Sequence, residues 1–99
     1  MNYKMTVTIT DKKTPKGMCS DITMKLKCEF VYDPDTYGKK MWLRIADERR
    51  IFEQCFDLRY DTSFDRNKKE AWLEAWAKSY WSGKNGAYEV KAIKIVKEL

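Results

Sequence analysis

Phosphate groups are held by ammonium and guanidinium side chains, and nucleic-acid bases stack on indole rings, so lysines, arginines and an outward tryptophan on one surface would together grip a nucleic acid. Lys25, Lys27, Trp42, Arg44 and Arg59 have the residue types and the spacing for such a surface. A second basic group, Lys12, Lys13 and Lys16 in the run Asp-Lys-Lys-Thr-Pro-Lys-Gly, could reach phosphates through point-charge contacts that read no sequence. Trp81 lies about 140° from the centre of the apolar stripe of its helix, and Tyr37 sits in a turn. Both are candidate anchors for a protein partner.

Catalytic chemistry finds little support. The chain has no histidine, which removes the commonest general base, the commonest zinc ligand and any histidine pH switch. Asp33, Asp35, Asp57, Asp61 and Asp65 could in principle hold a metal, yet Asp33 and Asp35 read as turn residues and Asp65 as a helix cap. Cys19, Cys28 and Cys55 are odd in number and lack C-x-x-C spacing, so reduced thiols are expected rather than disulfides or a zinc site. The glycines at 83 and 86 follow a helix and lack the spacing of a nucleotide-hydrolase phosphate loop. No metal, cofactor or catalytic residue is expected.

The elements that would position these side chains follow from periodicity. Tyr3, Met5, Val7 and Ile9 alternate with polar residues and predict a strand over 3–10. After the basic loop, Ile22, Met24, Leu26, Cys28, Phe30 and Tyr32 face one way while Asp21, Thr23, Lys25, Lys27 and Glu29 face the other. A turn over 33–38 leads to a third strand with Met41, Leu43 and Ile45 inward, which sends Trp42 and Arg44 outward. A fourth strand is expected over 51–60. The period then changes to 3.6: Trp72, Leu73, Trp76 and Tyr80 form one helical face, Ser63 or Asp65 caps the start, and Gly83 in a left-handed conformation ends it. A last strand from 87 to about 96 changes parity, predicting a bulge near Ala92.

The order β-β-β-β-α-β describes one α+β domain over 1–99, a single-layer antiparallel sheet of about five strands with one helix on one face and sheet order 5-1-2-3-4. The chain carries 20 Lys and Arg against 15 Asp and Glu, a net charge of +5. No apolar stretch reaches membrane-span length and no apolar signal core follows Met1, so a cytoplasmic address is expected. Three strands and a helix with basic residues on the open face, together with Lys68-Lys69-Glu70-Ala71 early in the helix, resemble the arm-binding domains of phage and transposon integrases over at most residues 26–82. That resemblance implies a sheet entering the major groove of DNA, and the small, basic, single-domain character of the chain suits an accessory protein of a phage or mobile element. The expected function is non-enzymatic binding of nucleic acid through the basic aromatic face. The alternatives are a protein-interaction module acting by occlusion, as an inhibitor or assembly factor, and a homo-oligomer using the open sheet face.

Overall fold

Alternating residues place one apolar row of each strand beneath a single helix. The computed structural model describes residues 1–12, 21–62, 64–83 and 88–98. Lys13, Lys16, Cys19, Ser63 and the segment 84–87 lie outside the described residues. The strands are β1 (Asn2–Asp11), β2 (Asp21–Tyr32), β3 (Lys40–Ala46), β4 (Ile51–Asp57) and β5 (Tyr88–Glu98), with α1 (Lys69–Ser82) between the last two. All neighbours are antiparallel in the order β4-β3-β2-β1-β5, as the sequence predicts.

Met5, Val7, Leu43, Phe56, Leu73 and Ala77 are fully buried at the sheet–helix contact. Removing a side chain such as Leu73 from water contributes roughly 2–3 kcal/mol. Aromatic rings fill the side toward β4: Phe64 stacks on Phe56 at 4.2 Å, Trp72 meets Phe56 edge-on at 5.1 Å, and Trp76 lies 5.2 Å from Phe52. The bulge falls where expected. Thr8 pairs with Ala92 and Ile9 with Val90, which leaves Lys91 as the extra residue.

Four local expectations are corrected. β4 stops at Asp57 instead of reaching residue 60, because its carboxylate accepts the Arg59 amide at 3.0 Å and its carbonyl accepts the Asp61 amide at 2.8 Å, which turns the chain. Asp65 does not cap the helix. It accepts the Asn67 amide at 2.9 Å in a turn of its own, while the buried Phe64 pins the incoming chain to the sheet and delays the helix to Lys69. Gly83 is right-handed, at φ −77°, and continues the helical hydrogen bonding to the Ser79 carbonyl. A Cβ at Gly83 would stand 2.5 Å from that oxygen, so close approach rather than handedness requires the glycine.

Trp81 is the fourth correction, because it is 2% exposed and belongs to the core. The helix meets the sheet through Leu73, Ala77 and Trp81, spaced i, i+4, i+8, while Trp72, Trp76 and Tyr80 are half-buried on the flank facing β4. Ala77 is small enough to bring the helix close. Trp81 then packs edge-on to Trp76 at 5.6 Å and to Tyr80 at 5.0 Å.

Candidate nucleic-acid interface

The sheet face opposite the helix is built from the outward positions of every strand. Its centre is a group of lysines brought together by register. Lys4 of β1 stands directly opposite Lys27 of β2, while Thr6 of β1 lies between Lys25 of β2 and Lys94 of β5. Neighbouring strands are about 4.8 Å apart and alternate residues about 6.8 Å, so the four lysines leave the sheet within a patch of roughly 10 by 7 Å. Lys4, Thr6, Lys25, Lys27, Lys94 and Val96 line a shallow depression of about 470 Å³.

All four lysines are exposed. Ion pairs on the described surface join Arg44 to Glu53, Arg59 to Asp57, Lys78 to Glu74 and Lys91 to Asp21, so none of the described carboxylates pairs with the four. Like charges directly across a strand pair oppose folding. An anion laid on the patch would remove that repulsion.

The residues singled out from sequence are divided by this geometry. Lys25 and Lys27 belong to the lysine patch. Trp42, 44% exposed, lies about 13 Å farther along, four residues from the Ala46 that pairs with Lys27. Its indole Nε1 donates to Asp33 Oδ2 at 3.3 Å, and its cross-strand neighbours are Val31 and Cys55. Arg44 stands between Glu29 and Glu53 and pairs with Glu53 at 3.8 Å, which places an acidic row between the lysines and the tryptophan. Arg59 lies past the end of β4, tied to Asp57 by bonds of 3.0 and 2.9 Å and set over the Tyr60 ring at 5.0 Å. Of the basic loop, Lys12 is described and exposed at the end of β1.

Among the protein-contact candidates, Trp81 is in the core and Tyr37 is 94% exposed. Tyr37 has φ 53° and precedes Gly38 at φ 79°, so two left-handed residues close the turn that follows β2. The nearby carboxylates serve that turn: Asp33 Oδ1 accepts the Asp35 amide at 2.9 Å. Asp35 of this turn and Glu89 of β5 are both carboxylates. They sit at opposite ends of the sheet, however, since Glu89 pairs with Thr10, which pairs with Asp21, eleven residues before Tyr32. Among the described residues, no group of three or more His, Cys, Asp or Glu side chains converges as a metal site.

Two groups titrate far from their ordinary values, one on each side of the sheet. The Asp57 carboxyl is lowered to about 2, first by the Arg59 side-chain hydrogen bond and then by the Arg59 amide. Burial pushes the Cys28 thiol up to about 12, which makes it an unreactive core residue.

Lys4 and Lys94 are the residues that sequence reasoning missed. Lys4 shows only as a polar position in an alternating strand, and its meeting with Lys27 depends on register. Lys94 reaches this face because the bulge resets the parity of β5. No helix among the described residues is long and apolar enough to cross a membrane. Comparison with protein-family models, curated proteins and solved structures finds no match.

Proposed function

We propose that this protein binds nucleic acid through its open sheet face, acting by binding rather than catalysis. The observation that carries the reading is the patch of Lys4, Lys25, Lys27 and Lys94, four exposed cations on three adjacent strands with no carboxylate paired to them. A phosphate backbone supplies several anions at the spacing of a few ångströms that such a patch presents. Trp42, at the far end of the same face, offers a ring for a base a short step along a single strand. The acidic row at Glu29 and Glu53 sets a boundary between the phosphate patch and the stacking site.

Fluorescence anisotropy with labelled single-stranded and duplex DNA and RNA across a salt series tests the reading. Neutralising the four lysines with phosphates predicts a slope of log affinity on log salt of about −3 for a single strand and somewhat steeper for a duplex. K25E/K27E reverses half the patch and should weaken binding by about tenfold or more at low salt. Salt-independent binding, or K25E/K27E binding like the native protein, would overturn the proposal.

A protein-interaction reading retains Tyr37 and loses Trp81 to the core. Homo-oligomerisation through the centre of the open face would set two lysine patches against one another, which disfavours it.

A further inference from the structure

The opposite side of the molecule carries a second, independent surface. Five strands span about 19 Å from first to last, whereas a helix with its side chains is about 10 Å across, so one helix covers roughly half of this sheet. The backbone of α1 runs closest to β5, and Trp72 and Trp76 reach across from it to Phe56 and Phe52 of β4. Toward β5 it presents Glu70, Ala71 and Glu74, which are exposed and too short or too polar to close the layer. A cleft of about 890 Å³ remains between the helix and β5, floored by Tyr3, Ile93 and Ile95. Ile93 and Ile95 are half-buried, core-facing residues left without a cover on one side.

Arg66, Lys68, Lys69 and Lys97 also line this cleft, and none of them forms an ion pair with a described carboxylate. Against them stand Glu70 and Glu74, the latter already paired with Lys78 at 3.1 Å. The rim is therefore cationic over an apolar floor. We infer that the cleft receives an amphipathic helical segment of a partner protein, apolar on one side and acidic on the other. A segment of that kind, lying between the first turns of α1 and the end of β5, buries Ile93 and Ile95 against its apolar side and sets its carboxylates beside Lys68 and Lys97. A basic or neutral segment would leave the rim unpaired, so charge selects the partner.

Two synthetic helical peptides test the inference, with Leu and Ile on one side and either Glu or Lys on the other. Titration calorimetry should show saturable binding of the Glu peptide and none of the Lys peptide. K68E/K97E changes two exposed side chains and should lower affinity for the Glu peptide by about tenfold or more, with DNA binding at the opposite face unchanged. Amide shifts in NMR should move at Ala71, Ile93 and Ile95 and stay still at Lys25 and Lys27. The inference is overturned by equal binding of both peptides, by no binding of the Glu peptide, or by K68E/K97E binding it like the native protein. Loss of DNA binding in K68E/K97E would assign the cleft cations to the nucleic acid and overturn the inference, and K25E/K27E would then decide separately whether the open face binds as well.

Discussion

Asp57 and Arg59 illustrate how one side chain can end a strand and withdraw a cation from a binding surface together. The Asp57 carboxylate takes the Arg59 amide and two guanidinium nitrogens, so the arginine is held beside its own turn. The same bonds favour the ionised carboxylate, lowering its pKa from 3.8 to about 2. A carboxyl whose folded value is depressed contributes stability that is present above the unfolded value and lost as pH falls through the folded one. The contribution of this pair should thus be complete above about pH 4 and disappear toward pH 2. Carbon-detected NMR titration of the Asp57 carboxyl should give a midpoint near 2, and D57N should flatten the acid limb of the unfolding curve in that window. A midpoint near 3.8, or an unchanged acid limb in D57N, would show that the pairing contributes nothing in solution.

Strands and helix differ in how much of their placement local sequence dictates. Period-two alternation identifies which strand residues are inward, because slipping by one would expose every apolar side chain, so Met41, Leu43 and Ile45 specify that Trp42 and Arg44 are outward. The helix offers no such parity. Trp72, Leu73, Trp76, Ala77, Tyr80 and Trp81 spread over half the wheel, and the surface it lands on selects the buried row Leu73, Ala77, Trp81. Ala77 gives no apolar signal of its own, yet its smallness sets the rotation and carries Trp81 inward. Trp81→Ala should therefore cost about 3–5 kcal/mol in urea unfolding, the range for a buried large aromatic, whereas an exposed anchor would cost under about 0.5 kcal/mol. A small loss would restore Trp81 as a surface residue. The binding face divides in the same way. Lys25 and Lys27 are legible because they alternate within one strand, but Lys4 and Lys94 join them only through pairing across strands and a reset of parity at Lys91.

At the scale of the whole molecule, charge is distributed so that both uncovered surfaces are cationic, the open sheet face at Lys4, Lys25, Lys27 and Lys94 and the cleft beside the helix at Arg66, Lys68, Lys69 and Lys97. Folding stability alone would favour the reverse, since Lys4 directly opposes Lys27 and neither is paired with a described carboxylate. If the patch is maintained for an anion, stability and binding should respond in opposite directions to the same substitution. Lys4→Glu replaces a repulsive cross-strand pair with an attractive one, and should raise unfolding free energy by about 0.2–1 kcal/mol at low ionic strength. The gain should shrink as salt screens the exposed pair, while affinity for DNA falls most at low salt, where the lost phosphate contact counts most. Urea unfolding and DNA titration of the native protein and Lys4→Glu at low and high salt measure both quantities. A variant that is no more stable at low salt would mean that the lysines splay far enough to avoid one another. The patch would then carry no folding penalty for an anion to relieve, and the case for nucleic acid would rest on binding alone.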